Sequence, residues 1–256
     1  MYDSFEHAGH LCLVFEPMGS NLREVVKKVG GGLGINIDAV RSFSRQLFTS
    51  LNHLLKCEIL HADIKPDNIL VSSNQKIVKI CDFGSAGYTR GDCEITPYLV
   101  SRFYRAPEII LGSAYDGKAD VFSIGCVLFE MYTGKILFSG KDNNEMLRMM
   151  QEYRGGFPKK LLRTAQFRAS HFDEEFKFLQ RGIDPLTGME ITKAVAFTNA
   201  TKDLMTRLVA GRRNISDHER TKLKQLCDLI SQCISLSPHK RISVRDALKH
   251  PFLIED

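Results

Sequence analysis

One helix-length segment constrains the fold of this chain more than any other feature of its sequence. Residues 121–131 are apolar on most sides, and five of them fall near one face at helical spacing: Val121, Ile124, Val127, Leu128 and Met131. A helix that is apolar nearly all round needs other elements around it, so we expect it at the centre of a domain. The segment is too short to span a bilayer and contains Glu130, which predicts a soluble chain without membrane association.

Amphipathic helices are predicted on both sides of this segment. Asp38 opens one as its capping residue, and apolar residues follow at steps of three and four: Val40, Phe43, Leu47, Leu51 and Leu54. Further helices fit residues 143–153, 217–234 and 243–250. Residues 154–168 hold several basic side chains and no acid, which predicts an irregular basic insertion.

Strand patterns are few and lie in the first third of the chain. Residues 11–15 form a continuous apolar run, which is typical of a strand buried on both faces. Residues 69–71 and 77–80 are two short strand candidates, separated by a turn sequence at residues 72–75. The predicted fold class is therefore mainly α, with α+β character.

Composition narrows the function classes only slightly. The 43% hydrophobic and 25% charged residues are typical of a soluble globular protein, and 256 residues allow one large domain or two small ones. The net charge of +5 is too small to indicate direct nucleic-acid binding. The 7 cysteines form no CxxC pair, which favours free thiols in a reducing compartment.

Four short motifs follow one another in the sequence. They are His61-Ala62-Asp63-Ile64-Lys65-Pro66-Asp67-Asn68, Asp82-Phe83-Gly84, Ala106-Pro107-Glu108 and Asp120-Val121-Phe122-Ser123-Ile124-Gly125. Each motif alone is a weak signal, but all four in this order and context are very specific. The chain resembles eukaryotic protein kinases nearly end to end, and the resemblance implies a kinase-like large lobe with a short β remnant of the small lobe.

The resemblance and the chemistry of phosphoryl transfer together assign roles to the motif residues. Asp63 would accept the proton or hydrogen bond of the substrate hydroxyl, and Lys65 would place a positive charge beside the γ-phosphate of ATP. Asn68 and Asp82 offer the hard oxygen ligands that suit Mg²⁺. Gly84 would let the chain turn tightly after the metal ligand.

Structural roles are implied for four other residues. His61 would be buried beneath the Asp-Phe-Gly motif, and Asp120 would accept backbone amides of the catalytic loop. Glu108 would form a buried ion pair with Arg241 that fixes the end of the activation segment. Breaking such a pair on one side only is costly.

The resemblance also implies an adenine pocket around the hinge. Phe15 falls at the gatekeeper position, while Glu16 and Met18 would offer backbone hydrogen-bonding groups to adenine. Leu70 would form the apolar floor, with Cys81 beside it. Ordinary core packing explains Phe15 and Leu70 nearly as well until nucleotide binding is demonstrated.

Residues 98–108 and 133–140 narrow the resemblance to the CMGC group of kinases, which includes the dual-specificity tyrosine-regulated kinases. Most members of this group have arginine at the position of Ala62. The alanine at this position, together with residues 13–17 and 95–102, is similar to the sequences of a branch of spliceosome-associated pre-mRNA-processing serine/threonine kinases. This branch implies a nuclear enzyme whose substrates and partners are splicing factors and other spliceosomal proteins.

In the resembled group, a tyrosine at the position of Tyr98 is phosphorylated. Arg102 and Arg105 follow it by four and seven residues, and their guanidinium groups can hold a phosphate. Ala62 replaces the arginine that usually adds a third contact. The alternative is that Tyr98 is a packed loop aromatic and that both arginines hold backbone carbonyls or Glu108.

The resemblance further predicts that the chain begins late within a kinase domain. Few residues precede Leu11 and none is a lysine, whereas a complete kinase has a glycine-rich loop, a strand lysine and a helix glutamate there. We expect residues 1–19 to be a remnant of the small lobe and hinge and residues 20–256 to be the large lobe. An exposed two-stranded remnant and little or no stand-alone activity would follow. Two functions stay open: a partial serine/threonine kinase domain, or a non-catalytic interaction module.

Overall fold

The computed structural model describes residues 1–89, 98–212 and 215–254, and its fold is mostly helical. The helices are α1 (Leu22–Gly30), α2 (Ile37–Lys56), α3 (Pro107–Leu111), α4 (Lys118–Thr133), α5 (Asn143–Arg154), α6 (Lys159–Thr164), α7 (Leu204–Val209), α8 (Asp217–Cys233) and α9 (Val244–Ala247). The strands are β1 (Asp3–His7), β2 (His10–Val14), β3 (Ile59–Leu60), β4 (Ile69–Val71), β5 (Val78–Ile80), β6 (Gly87–Tyr88), β7 (Phe178–Ile183) and β8 (Glu190–Val195). They form four two-stranded antiparallel pairs: β1–β2, β3–β6, β4–β5 and β7–β8. Cys93 lies outside the described residues, and so do residues 95–97, the first part of the stretch 95–102 used for the resemblance.

Helix α4 forms the centre of the fold, as its sequence predicts. Residues 119–133 are all buried, and helices α2 and α8 pack against α4. Gly125 lies where α4 meets α8, because a Cβ atom at this position would come within 2.6 Å of the Cβ atom of Cys233. A large helical core therefore surrounds α4. No helix in the described residues is long and apolar enough to cross a membrane.

Helix α2 presents the second large apolar face, but Asp38 does not cap it. The capping residue is Asn36, whose side chain accepts a hydrogen bond of 2.8 Å from the backbone N–H of Ala39. Asp38 lies in the first turn and pairs with Lys222 of α8 at 2.5 Å. The predicted cap was wrong because a carboxylate is stabilised by the helix dipole throughout the first turn, so residue type alone does not locate the cap.

Residues 11–15 do not form a strand buried on both faces. Strand β2 ends at Val14 and, within the described residues, pairs only with β1. Leu11 is 74% exposed and Phe15 is 59% exposed. The burial prediction was wrong because a two-stranded hairpin has no further strand or layer to cover its apolar side chains. The expectation of an exposed two-stranded pair in residues 1–19 is confirmed.

The second half of the chain contains elements that the sequence patterns missed. Residues 154–168 are not irregular, since they contain helix α6 with Leu162 buried. Strands β7 and β8 form an unpredicted hairpin, in which Phe178 packs against Phe172 and Phe197. Helices α1, α3 and α7 were not predicted either, and α9 is shorter than the predicted helix over residues 243–250.

A buried polar cluster fastens the β7–β8 hairpin to helix α5. The amide nitrogen of Asn144 donates to the backbone oxygen of Leu179 at 2.9 Å and lies 3.3 Å from Nδ1 of His171. The amide oxygen accepts from the backbone N–H of Arg181 at 3.2 Å. Because an amide nitrogen can only donate, Nδ1 of His171 accepts the hydrogen bond from Asn144. Nδ1 therefore carries no proton, and the imidazole ring is neutral. Burial and the charge of Arg181 lower the pKa of His171 to about 4.

We expect His171 alone to cost the protein about 3 kcal/mol of stability as the pH falls from 6.5 to about 4. The folded state keeps the ring neutral, whereas the unfolded chain protonates it near pH 6.5. The neutral ring therefore contributes its full stability above pH 6.5, and this contribution shrinks as the pH falls below 6.5 until it is gone near pH 4. Urea unfolding at neutral and acidic pH, compared with a His171→Gln variant, measures the difference. An equal loss in the variant would contradict the expectation.

Candidate active site

The candidate site is built on the loop between β3 and β4. The carboxylate of Asp120, at the start of α4, accepts hydrogen bonds from the backbone N–H groups of His61 at 2.8 Å and Ala62 at 3.1 Å. Burial raises the pKa of Asp120 to about 6, although these two hydrogen bonds oppose the shift. The contact predicted for Asp120 is thus present, and it fastens the loop to the central helix.

Both carboxylate oxygens of Asp63 are held by side chains from two segments. Oδ2 accepts hydrogen bonds from Lys65 Nζ at 2.7 Å and from Asn68 Nδ2 at 3.0 Å. Oδ1 accepts from the hydroxyl of Ser101 at 2.7 Å. Burial alone would raise the pKa of Asp63, but the hydrogen bonds from Lys65 and Ser101 outweigh burial and hold the pKa below its ordinary value. Asp63 is therefore an ionised acceptor at neutral pH.

Ser101 belongs to this cluster, although sequence reasoning did not single it out as a site residue. Its hydroxyl accepts a hydrogen bond from Lys65 Nζ at 3.1 Å, and its backbone N–H lies 3.2 Å from Oδ1 of Asp63. The two residues are 38 positions apart in the sequence. The available signal was the place of Ser101 within the kinase-like segment of residues 98–108.

The Asp-Phe-Gly segment packs against the buried ring of His61. Nε2 of His61 lies 3.0 Å from the backbone oxygen of Cys81, and the Phe83 ring meets the imidazole edge-on at a centroid distance of 4.9 Å. Burial lowers the pKa of His61, which keeps the imidazole neutral. The left-handed residue of this turn is Asp82, with a φ of 62°, and not Gly84. The predicted tight turn at Gly84 is present, since the backbone N–H of Ala86 donates to the backbone oxygen of Phe83 at 3.0 Å, and a Cβ atom on Gly84 would lie 3.1 Å from a carboxylate oxygen of Asp82. Aspartate tolerates the left-handed conformation because its side chain accepts a local hydrogen bond, here from the backbone N–H of Gly84 at 3.2 Å.

Asn68 and Asp82 lie beside the same end of the β4–β5 pair. The backbone N–H of Cys81 donates to the backbone oxygen of Asn68 at 2.9 Å. The amide nitrogen of Asn68 donates to the backbone oxygen and carboxylate of Asp63, which orients the amide and leaves its oxygen for a ligand. In the described part of the chain, no cluster of three or more His, Cys, Asp or Glu side chains can hold a metal ion by itself. One amide oxygen and one carboxylate nevertheless fit Mg²⁺, which takes few protein ligands and shares its other positions with phosphate and water.

A cleft of about 550 Å³ connects Asp82 with all five predicted adenine residues. Its lining includes Leu13, Phe15, Glu16, Met18, Leu70, Ile80, Cys81 and Phe83. Glu16 pairs with Lys79, another lining residue, at 2.5 Å. Burial raises the pKa of Cys81, which favours the neutral thiol. The predicted adenine residues therefore share one largely apolar surface next to a candidate metal ligand.

The protein kinase domain family matches residues 1–253, which is nearly the whole chain. The chain belongs to the protein kinase family. It is 49% identical over 251 residues to serine/threonine-protein kinase prp4 of Schizosaccharomyces pombe. It is also 49% identical over 253 residues to serine/threonine-protein kinase prpf4B of Dictyostelium discoideum.

A more distant relative places the kinase within the CMGC group. The chain is 34% identical over 280 residues to dual specificity protein kinase CLK1 of Homo sapiens. These three alignments cover 98%, 99% and 98% of the kinase chain. They cover 52%, 31% and 52% of the relatives, so the chain spans about half or less of the length of the curated proteins it matches.

The structure brings the predicted phosphate-binding residues of this kinase only partly together. Tyr98 is 76% exposed, and Arg102 lines a cavity of about 440 Å³ beside it. Arg105 is buried instead and donates to the backbone oxygens of residues 98–100. Arg102 also donates to a backbone oxygen, that of Lys141. Both arginines therefore hold backbone carbonyls, as the alternative interpretation expected. Tyr98 is exposed, however, and not the packed aromatic of that alternative.

Arg181 of β7 lines the same cavity as Tyr98 and Arg102, and the sequence patterns gave no indication of this. Burial lowers the pKa of Arg105 to about 10, a shift that the charge of Arg102 reinforces. The cavity is therefore lined by Arg102 and Arg181, whereas the guanidinium of Arg105 donates to the backbone oxygens of residues 98–100.

The predicted ion pair between Glu108 and Arg241 is present and fully buried. Two hydrogen bonds of 2.5 Å and 2.8 Å join the guanidinium to the carboxylate, and both side chains have 0% exposure. Arg241 also donates to the backbone oxygens of Ser235 and Lys118. Its guanidinium lies 5.1 Å from the ring centroid of Phe122 in α4. This pair therefore connects the segment after the candidate site to the central helix.

Proposed function

We propose that this kinase domain transfers the γ-phosphate of ATP to serine or threonine hydroxyls of protein substrates. The observation that carries the proposal is the carboxylate of Asp63, which Lys65, Asn68 and Ser101 hold in one orientation. Phosphoryl transfer requires a hydroxyl held in line with the γ-phosphate, and a fixed, ionised acceptor can hold it there.

Positioning by fixed side chains accounts for most of the proposed catalysis. Because its pKa is low, Asp63 is a weak base, so it orients the substrate hydroxyl and accepts its proton as the oxygen–phosphorus bond forms. Lys65 places its ammonium group where negative charge develops. Asn68 and Asp82 would hold Mg²⁺, which neutralises phosphate charge when it is bound.

Residues 1–19 are proposed to form the small-lobe and hinge side of the nucleotide site, and residues 20–256 the large-lobe side. The cleft beside Asp82 supports this division, because residues from both parts line it. The proposed adenine contacts are Phe15, Glu16, Met18, Leu70 and Cys81.

We further propose that the substrates and partners are splicing-related proteins and that the kinase acts in the nucleus. Support comes from Ala62 and residues 95–102, which resemble pre-mRNA-processing kinases, and from the 49% identity to the prp4 and prpf4B kinases. No direct nucleic-acid binding is part of the proposal.

Tyr98 is proposed as a phosphorylation site. A phosphate on this exposed side chain would lie beside the cavity that Arg102 and Arg181 line. Arg105, the other arginine of the proposed pocket, would have to release backbone carbonyls before it could contact the phosphate.

An Asp82→Asn variant of the protein that carries this chain tests the proposed function, because little or no activity is expected from the chain by itself. We expect phosphorylation of serine- and threonine-containing peptides with MgATP to fall by about 10²–10³-fold, because the charged one of the two proposed Mg²⁺ ligands becomes a neutral amide that binds the ion more weakly. Nucleotide binding should lose its dependence on Mg²⁺. Asp217→Asn, at an exposed carboxylate in the first turn of α8, is the matched control. Wild-type protein that neither binds MgATP nor phosphorylates any peptide would contradict the proposal.

A further inference from the structure

Arg23 of α1 lies at the centre of a charged network that the proposed mechanism does not use. Its guanidinium makes a two-pronged contact with the carboxylate of Asp67, at 2.8 Å and 2.9 Å. It also donates to Glu130 Oε1 at 2.5 Å and to the hydroxyl of Tyr104 at 2.7 Å. The Tyr104 hydroxyl in turn donates to Glu130 Oε2 at 2.6 Å. One guanidinium therefore serves two carboxylates and a phenol.

This network adjoins the proposed site of phosphoryl transfer. Asp67 belongs to the same loop as Asp63, and a chain advances at most about 3.3–3.6 Å per residue, so the two residues are within about 14 Å. Tyr104 follows Ser101, which contacts Asp63 directly, by one 3₁₀ turn. A peptide whose hydroxyl meets Asp63 therefore reaches the network with residues only a few positions from the acceptor.

The network is open to such a peptide. The side chain of Arg23 is 36% exposed and that of Asp67 is 42% exposed, whereas that of Glu130 is 6% exposed. The hydrogen bond from Arg23 lowers the pKa of Asp67, and burial and Glu130 raise the pKa of Tyr104. Without Arg23, two carboxylates would face a shared space with no cation between them, which is a binding site for a guanidinium or ammonium group.

We propose that Arg23 determines substrate specificity by occupying, from within the chain, a site that would otherwise bind a basic residue of the substrate. The wild-type kinase then gains nothing from arginine or lysine at the peptide position that reaches Asp67 and Glu130. This inference rests on the proposed kinase function, because it assigns the preference of the same site for its peptide substrate.

The test compares wild-type kinase with an Arg23→Ala variant on peptides that carry arginine, alanine or glutamate at each position near the acceptor. We expect the variant to prefer arginine at one position by about 10–100-fold in kcat/KM, as a charge-assisted contact allows, and the wild type to show no such preference. The gain should lie mainly in KM, because the contact forms in the ground state as well. Lys27→Ala, an exposed lysine on the same helix, should leave the preference unchanged.

Binding of fluorescent peptides without ATP separates this inference from the proposed function. If the protein that carries this chain phosphorylates no peptide but Arg23→Ala binds the arginine peptide about 10-fold or more tightly than the alanine peptide, the proposed function is wrong, whereas the occupation of a basic-residue site by Arg23 stands. Adding Asp67→Asn should remove the gained affinity. If Arg23→Ala does not fold, Arg23→Gln, which can still donate to Glu130, takes its place. A folded variant with unchanged preference and affinity, or a wild type that already prefers arginine there, overturns the inference.

Discussion

Replacement of Arg241 by methionine is expected to lower the free energy of unfolding by about 3–5 kcal/mol. The substitution leaves the carboxylate of Glu108 buried at 0% exposure without the two hydrogen bonds that now neutralise it. The backbone oxygen of Ser235 loses its donors as well. Urea unfolding of wild type and variant at neutral pH measures the change.

The double variant Arg241→Met with Glu108→Leu separates the cost of a stranded charge from the value of the pair. Because a buried ion pair gains little over apolar residues of similar volume, the double variant should recover most of the loss. Arg45→Met on the exposed side of α2 is the matched control and should change stability by less than about 0.5 kcal/mol. A loss for Arg241→Met no larger than that of the control would show that Glu108 finds other partners or water.

The sequence predicted the central helix through a short-range apolar pattern, whereas it predicted the role of the loop around Asp63 through the resemblance of four ordered motifs to those of kinases. Helix α4 is apolar on nearly every side, which only a buried helix can tolerate. The turn at residues 72–75 and its flanking strands follow from local turn chemistry. Contacts within the candidate loop, such as that between Asp63 and Lys65, span only two residues.

Burial of strand β2 could not be read from its composition. The apolar run at residues 11–15 is compatible with a fully buried strand and with an exposed hairpin, and the neighbouring strands decide between them. In this structure β2 has β1 as a neighbour and Leu11 is 74% exposed. Burial in a sheet is a property of the whole sheet, so the error concerned the partners of the strand and not its own conformation.

Long-range side-chain contacts account for the residues of the site that were missed. Ser101 reaches Asp63 across 38 residues, and Arg23 reaches Glu130 across 107 residues. Neither a serine nor an arginine carries a local signal for such a partner, since both residue types are common on exposed surfaces. Only the packing of α1, the loop and α4 on one another makes these contacts visible.

Replacement of Asp63 by asparagine in the protein that carries this chain is expected to lower kcat by about 10²–10⁴-fold. An amide cannot accept the proton of the substrate hydroxyl, and it loses the ion pair of 2.7 Å with Lys65. The KM for ATP should change little, because Asp63 faces the hydroxyl and does not line the cleft beside Asp82.

Two comparisons assign this loss to Asp63 as the proposed acceptor rather than to a disturbed loop. Ser101→Ala removes one hydrogen bond from the same carboxylate but leaves it in place, so we expect a smaller loss, about 10-fold. The thermal midpoint of Asp63→Asn should stay close to that of wild type, because Asp120 and not Asp63 fastens the loop to α4.

Because the hydrogen bonds from Lys65 and Ser101 hold the pKa of Asp63 below its ordinary value, the wild-type rate should show no acid limb from Asp63 near neutral pH. An Asp63→Asn protein that is as active as Ser101→Ala would remove Asp63 from the mechanism and leave Lys65 and the metal ligands as the catalytic groups.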